Sequence, residues 1–140
     1  MSKDFARDIA EMHHYYGFHD RIKNFTPEEW VMLLKFRIKF LEEELQETKD
    51  ASLLAQYAAE EVVDGIIDLM VVSIGTLDLF GVDIYKAWNR VYVANMSKKV
   101  GIKESRPNPL GLPDLIKPET WQAPTHSDNL GHLSKIQKKM

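Results

Sequence analysis

The sequence contains no cysteine, which excludes disulfide bridges, thiolate zinc sites and cysteine nucleophiles and is compatible with a cytosolic setting. Proline is almost missing before residue 100, where only Pro27 occurs. There is no excess of positive charge: 18 Lys and Arg stand against 21 Asp and Glu, for a net charge of -3. A general pull toward nucleic acid or anionic membrane is therefore not expected, and any phosphate binding has to be local or metal-mediated. The longest apolar stretch is interrupted by Asp64 and Asp68, which makes it a poor membrane span. Met1-Ser2-Lys3-Asp4 does not open a signal peptide. Gly75, Gly81 and Gly101 form no phosphate loop, and nothing supports a serine triad. These absences predict a cytoplasmic protein.

What is present is a helical pattern. The chain's 140 residues suffice for one domain with a real core. A first helix is expected from about Lys3 to Tyr16, with Phe5, Ile9, Met12 and Tyr16 on one face and Gly17 as its stop. Phe18 to Phe25 reads as a connector. Thr26-Pro27-Glu28-Glu29 announces the second helix, because Thr26 caps, Pro27 suits the first position and Glu29 completes a capping box. That helix is expected to reach about Thr48, with Trp30, Leu34, Ile38, Leu41 and Leu45 as its core stripe. Lys49 to Ser52 reads as a turn, with Asp50 or Ser52 capping a third helix that runs to about Phe80 and stops at Gly81. So short a connection makes the two helices antiparallel neighbours. A fourth helix follows Asp83. The predicted fold is all-α, a four-helix-bundle-like core over residues 1–100. Residues 101–140 form an irregular extension packed on it, because Pro107, Pro109, Pro113, Pro118 and Pro124 deny a long helix there.

Acids interrupt this apolar pattern. At about 100° per residue, Glu61, Asp64 and Asp68 share one helical stripe, which continues back through Tyr57 and Leu54 and forward through Val72, Gly75 and Leu79. On the second helix a stripe beginning Leu33, Phe36 and Phe40 turns acidic at Glu44 and Glu47. Antiparallel packing brings Glu43, Glu44 and Glu47 to the level of Glu61, Asp64 and Asp68. Carboxylates in a core-facing line need a partner, and a hard cation bound by oxygen, Mg²⁺ or Mn²⁺, suits them better than zinc or copper. The plainer reading, a charged solvated face, fits Glu42 to Glu47 taken alone but conflicts with the residues flanking Asp64 and Asp68. Such cations bridge phosphates, which points to phosphoryl or nucleotidyl chemistry.

Other signals are weaker. Asn95 reads either as a buried hydrogen-bonded side chain or as a substrate contact. Lys98 and Lys99 suit the negative end of a helix dipole. Glu11 and His14 form a single Glu-x-x-His pair, whereas a di-iron bundle needs two. His13, His14 and His19 read as surface or packing residues rather than ligands. The apolar helix beyond Asp68 is too apolar to be covered by its own chain, which predicts a homodimer or homotetramer.

At Glu43-Glu44-Leu45-Gln46-Glu47, followed by Glu61-Val62-Val63-Asp64 and Asp68, the chain resembles the MazG-like all-α nucleoside triphosphate pyrophosphohydrolases, the group that includes phosphoribosyl-ATP pyrophosphohydrolase relatives. Their pattern is Glu-Glu-x-x-Glu, a spacer, then Glu-x-x-Asp. Gly65 stands where a glutamate is expected if Asp68 closes the pattern, while Glu61-x-x-Asp64 fits one turn earlier. Glu11-Met12-His13, Gly75-Thr76 and Asn95-Met96-Ser97-Lys98 are also similar to the phage and bacterial members. The resemblance implies Mg²⁺-dependent cleavage of a nucleoside triphosphate between the α and β phosphates. Glu44, Glu47, Asp64 and Asp68 would be metal ligands, and Glu43 or Glu61 would complete the shell or orient water. Asn95 and Lys98 would contact phosphate or sugar, Arg37 the acidic cluster or a phosphate, and His13 a nucleobase. The rival reading is a non-catalytic helical assembly module with a structural cation site.

Overall fold

The computed structural model describes residues 3–54, 58–106 and 109–136. Tyr57 of the expected stripe and Pro107 lie outside them. Five α-helices occur among the described residues: α1 Phe5–Tyr15, α2 Phe18–Ile22, α3 Pro27–Ser52, α4 Ala59–Leu79 and α5 Ile84–Met96. Two three-residue strands, β1 Lys99–Gly101 and β2 Asp114–Ile116, and a 3-10 helix at Gly131–Lys135 complete the order. No single helix among the described residues is long and apolar enough to cross a membrane. The chain divides into two compact units, Met1–Ile84 with Leu130–Met140, and Tyr85–Asn129.

In the first unit, α1 opens with Asp4, whose carboxylate accepts the Arg7 N–H at 3.0 Å. The capping box at the start of α3 forms as expected: Thr26 Oγ1 accepts from the Glu29 N–H, and Glu29 Oε1 accepts from the Thr26 N–H. Replacing such a cap typically costs about 1 kcal/mol. At its other end α3 continues through the expected turn to Ser52. Asp50 accepts from Gln46 Nε2 one turn back, and Ser52 Oγ donates to the Lys49 carbonyl, so both side chains serve α3. The residue preceding α4 is Ala58, which provides no side-chain cap. Phe18 to Ile22, expected as a connector, forms the short helix α2.

The core gathers where α2, α3, α4 and the C-terminal 3-10 helix meet: Ile22, Trp30, Leu79 and Phe80 are buried, with Phe25, Leu33, Leu34, Leu133 and Ile136 packed around them. Trp30 and Phe80 are fully covered, each worth roughly 1.5–3 kcal/mol in removed apolar surface. The His132 ring stacks on Trp30 at 4.2 Å, and its backbone N–H donates to the Phe80 carbonyl at 2.7 Å.

Two expected faces are corrected. On α3, Trp30 is buried, but Ile38 and Leu45 are 47% and 57% exposed. The helix meets α4 through the neighbouring stripe, where Arg37 reaches Thr76 and Thr48 lies against Gly65. Contacts at Arg37 with Thr76 and at Thr48 with Gly65 run in opposite senses, so α3 and α4 are antiparallel. On α1, Ile9 and His13 are the buried pair, whereas Phe5, Met12 and Tyr16 are exposed. Along α4, Gly65, Val72, Gly75 and Leu79 are buried, and Leu54 is exposed ahead of the helix. Val63, Ile66, Ile67 and Met70 remain exposed.

The second unit joins α5, from its second residue, to an extended segment. β1 and β2 pair antiparallel, Val100 opposite Leu115. Trp121 Nε1 donates to the Ala94 carbonyl at 2.7 Å, and Arg90 donates to the Thr125 carbonyl and to Asp128. The prolines of this segment agree with its lack of a long helix. The hairpin was not foreseen, because three-residue strands carry too few alternations to register as a pattern.

Candidate active site

The acidic residues of α3 and α4 meet where Thr48 of α3 lies against Gly65 of α4. Thr48 and Gly65 are both buried there, and Thr48 Oγ1 donates to the Glu44 carbonyl at 2.8 Å. A cleft of about 200 Å³ opens beside this contact, lined by Glu44 and Glu47 from α3, Glu61, Asp64 and Asp68 from α4, and the buried Thr48, Ala51 and Gly65. The spacing explains the arrangement. Residues three and four apart share a helical face, so each helix turns at least two carboxylates to the same opening. The small residues at the contact let the backbones come close without filling the space between the acids. Glu43, expected among them, does not line the cleft.

The acids are not buried, as the sequence suggested for Asp64 and Asp68; they are exposed along the cleft, and Glu44 is half-buried. The Glu44 pKa is raised above the ordinary glutamate value, first by desolvation and then by the negative charges of Glu47, Asp68 and Glu43. A raised carboxylate pKa means that the folded chain holds that proton more tightly than the unfolded chain. The stability it contributes is present at low pH and is lost as the pH rises through the raised value. In the metal-free protein, Glu44→Gln is therefore expected to raise Tm at pH 7 and to change it little at about pH 4. Thermal melts in chelator at both pH values check this, and a variant less stable than the parent at pH 7 would contradict it.

None of the five lining carboxylates forms an ion pair with a described residue. An all-oxygen donor set, a cleft of small volume and one acid whose charge its neighbours disfavour together fit a hard divalent cation.

The remaining candidates are not among the residues that line the cleft. Arg37 Nε donates to Thr76 Oγ1 and its Nη2 donates to the Val72 carbonyl, both at 3.0 Å. Burial lowers its pKa from the ordinary arginine value. Its guanidinium thus ties α3 to α4 about one to two turns beyond Asp68, roughly 10 Å along the helix. His13 is buried against Asp78, with its Nδ1 at 2.6 Å from Oδ2. Asn95 and Lys98 belong to the second unit, where Asn95 is exposed and Lys98 Nζ stands 5.3 Å above the Trp121 ring. Sequence reasoning missed the pairing of Gly65 with Thr48. The only available signal was a glycine inside an otherwise regular helix, which often marks a close approach.

The family model of phosphoribosyl-ATP pyrophosphohydrolase matches residues 13–95, more than half of the chain and all of the cleft. No curated protein and no solved structure matches the chain. The matched span starts at His13, includes both acidic segments and ends at Asn95. The chain belongs to the phosphoribosyl-ATP pyrophosphohydrolase family, within the MazG-like all-α pyrophosphohydrolases.

Proposed function

We propose that this protein hydrolyses a nucleoside triphosphate between its α and β phosphates, releasing the nucleoside monophosphate and pyrophosphate, and works as a homo-oligomer. One observation carries this reading: in a chain of a pyrophosphohydrolase family, five carboxylates from two helices line one cleft without an ion pair to any described residue. Glu44, Glu47, Asp64 and Asp68 would hold Mg²⁺, or Mn²⁺ in its place. When bound, the cation supplies charge neutralisation and Lewis-acid polarisation at the phosphate oxygens.

The chain's own groups do the rest. Glu61, on the α4 wall of the cleft, orients the attacking water and accepts its proton, while Glu43 adds negative charge from outside. The water oxygen bonds to phosphorus as the bridging P–O bond breaks, and the electron pair leaves with the departing phosphate group. Lys98 and Asn95 contact phosphate or sugar. Arg37 and His13 act from the packed side by fixing α3 and α1 to α4. The exposed Val63, Ile66, Ile67 and Met70 favour assembly with further copies of the chain.

Pyrophosphate release from a panel of ribo- and deoxynucleoside triphosphates and phosphoribosyl-ATP, with and without Mg²⁺, tests the proposal. Release from at least one nucleotide, dependent on the cation, is expected. No release from any of them would leave the carboxylates as a structural cation site in a helical assembly module.

A further inference from the structure

A second group of chemistry-bearing side chains converges near the opposite end of α4. His13 Nδ1 and His19 Nε2 lie 2.6 Å and 2.8 Å from the same oxygen of Asp78, Oδ2. The three potential ligand atoms all fall within 4.8 Å of one another. The local chain explains the convergence. Gly17, at φ +73°, occupies the left-handed region and turns the chain from α1 into α2, so that two histidines on different helices reach one carboxylate.

We propose that His13, His19 and Asp78 form a transition-metal site, suited to Zn²⁺ and separate from the carboxylate cleft. Two imidazole nitrogens and one carboxylate oxygen are donors that zinc and its neighbours accept readily and that Mg²⁺ takes poorly. The side chains already meet around one point, so little ordering remains to be done on binding. His13 and Asp78 have side chains only 3% and 17% exposed, whereas that of His19 is 47% exposed. The site therefore has two sheltered ligands and one side open to solvent, which gives the ion access and leaves room for water in the remaining position.

The proton count closes. To donate to the Asp78 carboxylate, each ring carries its proton on the nitrogen facing it. With metal, those nitrogens give their lone pairs to the ion and the protons move to His13 Nε2 and His19 Nδ1. The exchange is a change of tautomer in each ring and releases no proton. Arg37 approaches the other edge of the His13 ring, near Gly75, where it is held by Thr76 and the Val72 carbonyl. Bound at Asp78, the ion would staple α1 and α2 to α4 without taking part in hydrolysis.

The test uses the full chain, cleared of metal and then given Mg²⁺ in excess to fill the carboxylate cleft, with Zn²⁺ as the only other metal. One Zn²⁺ per chain is expected to bind. The side-chain nitrogen resonances of His13 and His19 should shift as Nδ1-bound and Nε2-bound rings, with those of His14 and His126 unmoved. At a hundredfold excess over Kd, Tm should rise by roughly 6–10 °C. His19→Ala, at a half-exposed position, should remain folded and lose both the ion and the rise in Tm. Unmoved His13 and His19 resonances, or equal zinc binding by His19→Ala, would overturn the proposal. Neither outcome bears on pyrophosphate release, so this site and the proposed function stand or fall separately.

Discussion

Asp68→Asn is expected to lower the rate of pyrophosphate release by roughly 10²–10³-fold, a typical loss when one preorganised electrostatic group is removed from a site of charge transfer. The substitution keeps the shape of the side chain and removes its charge. Asp68 is exposed along the cleft, so the helices should be unaffected. It is also one of the charges that raise the Glu44 pKa. Removing it relieves repulsion, so the metal-free variant should melt no lower than the parent at neutral pH. Activity and stability are predicted to move in different directions, which a merely unfolded variant cannot reproduce. Turnover with Mg²⁺ and thermal melting in chelator give the two readings. Unchanged turnover would refute the role assigned to Asp68.

Gly65→Ala is expected to destabilise the protein by about 1–3 kcal/mol, the usual range for overpacking a close contact. In a free helix the same change would be favourable by up to about 1 kcal/mol, because alanine is the better helix former. Here the added Cβ would lie 2.0 Å from Thr48 Oγ1 and 3.0 Å from Thr48 Cβ. Rotating the hydroxyl relieves the first clash. The second is fixed to the backbone of α3, so α3 and α4 must separate. Separation also widens the cleft, and activity should fall with stability. Thr48→Gly should restore much of the loss in the double variant, because it removes the three atoms nearest to the new methyl. Denaturant unfolding of the four-member cycle measures the coupling. A Gly65→Ala protein as stable as the parent would show that the helices do not depend on this contact.

Much of this arrangement was legible in the sequence, for identifiable reasons. Long helices with caps are readable locally: Thr26 with Glu29 marks the start of α3, and Gly81 follows the end of α4. The acidic positions were legible because helical spacing fixes which residues share a face, and Glu44, Glu47, Glu61, Asp64 and Asp68 do line one cleft. What was not legible depends on contacts distant in sequence. The choice between two neighbouring stripes of α3 was decided by Thr48 and Arg37 meeting α4, leaving Ile38 and Leu45 exposed. Gly65 looked like a missing ligand and is instead the contact that brings the carboxylates together. His19 gave no periodic signal because α2 has only five residues, and its partner Asp78 is 59 positions away.

A phosphorus NMR spectrum of a turned-over nucleoside triphosphate, taken with the parent chain and with Asp68→Asn in the presence of Mg²⁺, shows directly which bond is cleaved and whether the carboxylate is needed. Nucleoside monophosphate and pyrophosphate are expected in equal amounts from the parent and almost none from the variant. Orthophosphate with nucleoside diphosphate, or equal turnover by both proteins, would contradict this.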